Sequence, residues 1–288
     1  MKNKLRSPSS VKSKNCDKRR NRGKPVQAFA FDLDGTILEA GGVIRDETRR
    51  ILSQAAQINI KLVIATGRDL KDIDKLLRKN TFGFKNNFPH ATLADGHKIY
   101  FLRNGKYIPL GRWNKYLREQ FFRFLPLCRK IIAQLKIELE SGGLQSERLL
   151  TPEEEIRREM VGLRFGSVQE GEEAHKYISQ KLPSFTSELI CSRNGGGVYL
   201  KYSQATKGRA LLELIRNWGI DPVQVLAVGN AQNDEDMLDG HYGFCSATVK
   251  NAEENIKRVV LNNNGYIAQL PLGGGIAEIL TREIAKNE

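Results

Sequence analysis

The stretch FAFDLDGTIL, residues 29–38, closes an apolar run with two aspartates one residue apart, then Gly and Thr. Carboxylates that close repel, so something must compensate them. By length and composition, VQAFAF (26–31) reads as a short buried strand. DETRRILSQAAQ (46–57) follows, with Ile51, Leu52 and Ala55 at helical spacing. IKLVIAT (60–66) is a second buried strand and DLKDIDKLLRK (69–79) a second amphipathic helix. Strand, helix, strand, helix predicts a parallel sheet with right-handed crossovers.

The pattern resumes late in the chain. TKGRALLELIRNWG (206–219) has a Thr N-cap, an apolar stripe and a closing Gly219, with Pro222 beyond. VQVLAVG (223–229) reads as another buried strand, and NDEDMLDG opens a helix. GFCSA (243–247), NAEENIKRVV (251–260) and a helix after PLGGG (271–275) complete the pattern. The middle is different. RWNKYLREQFFRFLPLCRKIIAQLK (112–136) is helical, with Pro126 expected to break or bend it. MVGLRFG (160–166) reads as a strand and QEGEEAHKYISQKL (169–182) as a helix. FTSELICSR (185–193) and GVYLKYS (197–203) read as a hairpin joined by Asn-Gly-Gly. Mixed order here predicts an α+β unit inserted into an α/β domain. The expected division is a core over 25–111 and 200–288, and an insert over 112–199.

The chain has 288 residues, 40% of them apolar, enough for one large domain or two modest ones. Its net charge of +13 suggests nucleic acid, but the distribution argues otherwise. Residues 1–24 hold ten Lys or Arg and one Asp, so the rest carries only about +4. That basic tail, poor in apolar residues, is expected to be disordered and to make at most weak contact with RNA or an anionic surface. It lacks the apolar region of a secretory signal. No apolar run is long enough to span a membrane. The four cysteines form no CxxC pair, so zinc is not expected and a cytoplasmic location fits. The glycines of NGGG (194–197) and LGGG (272–275) read as turns, since neither follows a nucleotide fingerprint.

Three predicted parallel strands end in polar residues: DLDGT, TGR and GNAQND. In open α/β sheets the ligand crevice lies at the carboxyl ends of the strands. Asp32, Asp34, Thr66, Asn230, Asn233 and Asp234 should therefore converge. Carboxylates with few histidines suit a hard cation, Mg²⁺ above all. The cation would offset their repulsion. One carboxylate can attack phosphorus and form an aspartyl-phosphate. The other can protonate the leaving oxygen and then deprotonate water. Amides around Leu33, Asp34 and Gly35, the Thr66 hydroxyl and Lys207 at a helix start offer donors for a phosphate.

DLDGT, TGR, a Lys at a helix start and a G-x-x-x-N-D loop, in that order, resemble the four motifs of the haloacid dehalogenase (HAD) superfamily. The insert resembles the cap of its Cof-type branch (class IIB). The resemblance spans roughly residues 26–285. It implies a doubly wound parallel-sheet α/β core, Rossmann-like, with an inserted α+β cap domain. It also implies a Mg²⁺-dependent phosphatase acting on a small phosphorylated metabolite, a sugar phosphate first. Asp32 would be the nucleophile and a metal ligand. Asp34 would be the general acid/base, its carbonyl on the metal. Leu33, Thr66, Gly67, Lys207 and Asn233 would bind the phosphoryl group. Asn230 and Asp234 would complete the metal site.

Two residues depart from the pattern. The family usually has Asp where Asn230 stands. An amide oxygen brings no charge, which should weaken the metal by about 1–3 kcal/mol. Asp95 in ADGHKI (94–99) stands where relatives often have Asn, and is expected only to shape a turn. Arg68 is expected in a structural ion pair. His97, Lys98, Arg164 and Arg193 are weak candidates for reading the leaving group. Two alternatives remain open at this point: phosphoryl transfer within a hexose, as in phosphomannomutases, and a catalytically weak phosphate-ligand binding protein, for which Asn230 is the only support.

Overall fold

A computed structural model describes residues 24–81 and 88–285. The basic segment expected over 1–24 lies outside the described residues except for Lys24, which pairs with Asp221 at 3.1 Å.

Strand β1 (Ala28–Phe31) is the centre of the fold. Phe29 and Phe31 point into one apolar cluster, Ala28 and Ala30 into another. A strand buried on both faces has no need of polar alternation, which is why this run is wholly apolar. Helix α1 (Asp46–Gln57), strand β2 (Lys61–Ala65) and helix α2 (Leu70–Lys79) follow. Strand β3 (Ala91–Ala94) ends the parallel part on this side, and β4 (Lys98–Arg103) and β5 (Lys106–Pro109) extend the sheet antiparallel. Asp95 and Gly96 join β3 to β4, both with positive φ (52° and 76°). That is the Asp-Gly hairpin turn, so Asp95 shapes the turn as expected.

The second half adds helix α6 (Lys207–Trp218), β10 (Val225–Gly229), helix α7 (Glu235–Leu238), β11 (Cys245–Thr248), helix α8 (Glu254–Asn262), β12 (Tyr266–Ile267) and helix α9 (Leu272–Ala285). The eight-stranded sheet runs β12-β11-β10-β1-β2-β3-β4-β5. β1 lies between β2 and β10, both parallel to it, so the order reverses beside Asp32. One face carries α1, α2 and α9, the other α6, α7 and α8. Glycines 273–275 lie inside the first turn of α9 rather than before it. A Cβ on Gly273 would stand 2.9 Å from the Thr48 hydroxyl oxygen. That hydroxyl donates to the Gly273 carbonyl at 2.8 Å, so close approach of α9 to α1 excludes a side chain.

Between β5 and α6 lies a second, four-stranded antiparallel sheet, ordered β6-β7-β9-β8. It is built from β6 (Arg148–Leu149), β7 (Val161–Arg164), β8 (Leu189–Asn194) and β9 (Gly197–Tyr202). Helices α3 (Gly111–Ser141) and α5 (Val168–Lys181) cover one of its faces. Pairing of Leu189 with Tyr202 carries this sheet past the expected boundary at 199. Helix α3 continues through Pro126 instead of breaking there. Phe121, Cys128, Ile131, Ile132 and Leu135 are buried on both sides of the proline, and that packing outweighs the one lost backbone bond. Helix α4 (Pro152–Arg158) joins β6 to β7. Among the described residues no helix is long and apolar enough to cross a membrane.

Candidate active site

Asp32 prolongs β1, its N–H donating to the Val228 carbonyl at 3.0 Å. The chain then turns sharply: the Leu33 carbonyl accepts from the N–H groups of Thr36, Ile37 and Leu38. The N–H groups of Leu33, Asp34 and Gly35 donate to no acceptor among the described residues. Three open amides beside a carboxylate make a cradle for an anion.

Lys207, the first residue of α6, is 1% exposed. Its Nζ donates to Asp32 Oδ1 at 2.8 Å and to Asp234 Oδ1 at 2.6 Å. The other Asp234 oxygen accepts from the N–H groups of Asn230 and Ala231, at 2.8 and 3.1 Å. Asp234 is thereby committed to Lys207 and to its own loop. Burial raises the Asp32 carboxyl to about 7, with Lys207 pulling against it and Asp234 adding to it. Burial would lower Lys207, but Asp234 and Asp32 outweigh it and hold the ammonium above its ordinary value.

Asp34 turns away from this trio. Its carboxylate takes a two-pronged contact from Arg68, at 2.8 Å from Nε and 2.6 Å from Nη2. Thr66 is fully buried at the end of β2, its hydroxyl oxygen accepting from Arg68 N–H at 3.2 Å. The Asn233 amide lies 4.0 Å from where a Cβ on Gly67 would stand. Asn230 accepts from the Thr36 hydroxyl at 2.9 Å through Oδ1. Six expected residues thus meet in two groups: Asp32, Lys207 and Asp234 in one, Thr66, Gly67 and Asn233 in the other. Asn230 borders the turn, and the Asp34 side chain stands apart on Arg68.

Sequence reasoning passed over Thr36 and Asn251. Thr36 belongs to the DLDGT motif, a signal that was available. Asn251 is held to the turn by its amide donating to the Gly35 carbonyl at 2.8 Å, which no local pattern announces. The four residues considered for reading a leaving group have other partners or places. His97 and Lys98 contact Glu159 at 3.3 and 3.4 Å. Arg193 pairs with Glu253 and Glu172. Arg164 is an exposed residue of β7.

Among the described residues no three His, Cys, Asp or Glu side chains form a metal cluster. The donors at hand are the Asp32 carboxylate, the Asn230 amide oxygen and the Asp34 carbonyl. All are hard oxygens with one charge, and this suits Mg²⁺, which keeps waters and takes ligands from phosphate.

Gly35 has φ +74°, and a Cβ there would stand 2.5 Å from Asn230 Nδ2. Gly35→Ala is expected to cost about 1–3 kcal/mol in urea unfolding, from left-handed backbone strain and the displaced amide. A loss under half a kcal/mol would show that the turn relaxes freely.

A buried carboxylate, a lysine bridge and open amides meet at the switch point of a parallel sheet, the place where open α/β folds bind their ligands. The sequence profile of the haloacid dehalogenase-like hydrolases matches residues 29–123 and 131–269, and the chain belongs to that family. A Streptococcus pyogenes protein named "Putative phosphatase M6_Spy0533" is 25% identical over 236 residues, 74% of this chain and 84% of its own. "Putative phosphatase YxeH" of Bacillus subtilis is 22% identical over 248 residues, 78% of this chain and 87% of its own. Among solved structures, the sucrose-phosphatase of Synechocystis, in complex with sucrose and phosphate, shares the fold. Its TM-score is 0.64 at 17% identity, covering 91% of this chain and 99% of that one.

Proposed function

We propose that this phosphatase hydrolyses a small phosphorylated metabolite, a sugar phosphate in the first place, with Mg²⁺ and through an aspartyl-phosphate on Asp32. The observation that carries this is the buried Asp32–Lys207–Asp234 bridge beside the open amides of residues 33–35. The Synechocystis relative, with its sucrose and phosphate, supports a sugar as the leaving group.

Asp32 attacks phosphorus through a carboxylate oxygen while Lys207 holds Oδ1 and fixes the approach. The amides of Leu33, Asp34 and Gly35, the Thr66 hydroxyl and the Asn233 amide bind the phosphoryl oxygens. Asp34 parts from Arg68 and gives its proton to the leaving oxygen as the P–O bond breaks. It then takes a proton from the water that attacks the aspartyl-phosphate, releasing phosphate and restoring Asp32. Asp32, Asn230 and the Asp34 carbonyl would hold the cation, which neutralises phosphoryl charge when bound.

Phosphate release from a panel of sugar phosphates and p-nitrophenyl phosphate, with Mg²⁺ and with EDTA, tests this reading. Metal-dependent release above an Asp32→Asn control is expected. Isomerised sugar phosphate without free phosphate would replace hydrolysis by internal transfer. Absence of release at several millimolar Mg²⁺ would remove the reading.

Asn230→Asp adds one anionic ligand where an amide now stands. It should tighten Mg²⁺ roughly tenfold, seen by calorimetry without substrate. An unchanged affinity would take Asn230 out of the metal site.

A further inference from the structure

The insert presents two cations to the site that have no carboxylate of their own. In β9, Val198 and Leu200 pack beneath α3 and α5. Strand alternation places Tyr199 and Lys201 on the opposite face. Ile190 and Ser192 of β8 pair with Lys201 and Tyr199, so they share that face. Asn194, two residues beyond Ser192, puts its amide nitrogen 3.3 Å from where a Cβ on Gly67 would stand. This face therefore covers the phosphoryl site.

Lys201 is 7% exposed. Among the described residues its ammonium makes no ion pair and no hydrogen bond. Asp236, Lys207 and Arg158 are close enough to act on its charge. Asp236 accepts from the Gly208 N–H at 2.9 Å and lies beyond ion-pair distance. Burial lowers Lys201 to about 8. Arg158, ending α4, sets its guanidinium 5.3 Å from the Tyr199 ring centre and reaches the Gly67 carbonyl only at 3.4 Å. It too lacks a carboxylate within ion-pair distance among the described residues. Lys207 differs, since two carboxylates neutralise it. Buried cations are ordinarily paired, because desolvating a lone charge is costly. A neutral leaving group would leave Lys201 desolvated and uncompensated, and the half-buried Arg158 beside it without a carboxylate at ion-pair distance.

We infer that Lys201 and Arg158 form an oxyanion subsite for a second anionic group, carboxylate or phosphate, on the leaving-group half of the substrate. This rests on the phosphatase reading: the reacting phosphoryl lies by Asp32, and the rest of the ester extends towards β9. The substrate class is then narrower, a phosphorylated sugar acid or a sugar bisphosphate rather than a neutral sugar monophosphate.

Two matched pairs test this: 6-phosphogluconate against glucose 6-phosphate, and fructose 1,6-bisphosphate against fructose 6-phosphate. Each is measured by steady-state kinetics on the wild type and by calorimetry on Asp32→Asn. The anion-bearing member is expected to gain about tenfold or more, in KM and in Kd rather than in kcat. The first pair reports a carboxylate and the second a phosphate, so preference in one alone identifies the group. Lys201→Met should bring the ratio within about twofold of unity and Lys201→Arg should preserve it. Arg158→Gln, read the same way, serves if Lys201→Met does not fold. Equal use of both members in both pairs, or a preference untouched in Lys201→Met and Arg158→Gln, overturns the subsite. Turnover without preference removes the subsite and spares the role of Asp32. Preferential binding without wild-type turnover does the reverse.

Discussion

Asp32→Asn is expected to lower turnover at least about a thousandfold while leaving the protein folded. The amide keeps the shape and still accepts from Lys207, but it cannot bond covalently to phosphorus and leave again. The same variant makes a prediction about stability. The Asp32 carboxyl has an ordinary value of 3.8 and is raised to about 7 in the folded protein, by burial first. The folded state therefore holds that proton more tightly than the unfolded chain. Stability from this group is present at low pH and drains away as pH rises from about 4 to about 7. Asn carries no such dependence. At pH 8 in EDTA the variant should melt no lower than the parent. A variant with parental activity would remove Asp32 as nucleophile. One that melts several degrees lower at pH 8 would show that the Asp32–Lys207 contact outweighs desolvation.

Lys207→Met should have the largest effect on stability. It leaves two buried carboxylates, Asp32 and Asp234, without the ammonium that bridges them. Removing one partner of a buried charge group typically costs about 3–5 kcal/mol, and that loss is expected in urea unfolding at pH 7. It should shrink as pH falls, because each carboxylate can then take a proton. Turnover should be lost throughout. A loss below about 1 kcal/mol at pH 7 would mean that the carboxylates escape the burden of lone buried charge, by taking up protons once Lys207 is gone or by being solvated by water.

The legible part of this fold was the part governed by burial. The runs 26–31, 60–66 and 223–229 are apolar because both faces of their strands are covered, and each ends in the motif that supplies the site. β5 escaped notice because it is four residues at a sheet edge, mostly exposed, with no apolar pattern. Helix α4 was missed although it carried a signal. Thr151 and Glu154 form a capping box, with Pro152 in the first turn. The glycines of α9, read as turns, lie inside its first turn, and Pro126 does not break α3, because packing outweighs local propensity. In the site, the convergence of Asp32, Lys207 and Asp234 followed from motif order. The turning of Asp34 towards Arg68 did not, since side-chain direction depends on a partner 34 residues away.

The position of β1 has a consequence for how the chain assembles. Its neighbour β10 is synthesised nearly two hundred residues later, Ala28 meeting Val225. During elongation the central strand can pair with β2 on one side only. Asp32 must wait, unmatched by Lys207 and Asp234, until the last third of the chain emerges. The second sheet closes over far shorter separations, Asn194 meeting Gly197 and Arg164 meeting Gly197. Loop-closure entropy therefore favours its early formation. Pairing of β10 with β1 closes the longest loop in the sheet, and Asp234, which follows β10, can meet Asp32 and Lys207 only after that loop has closed.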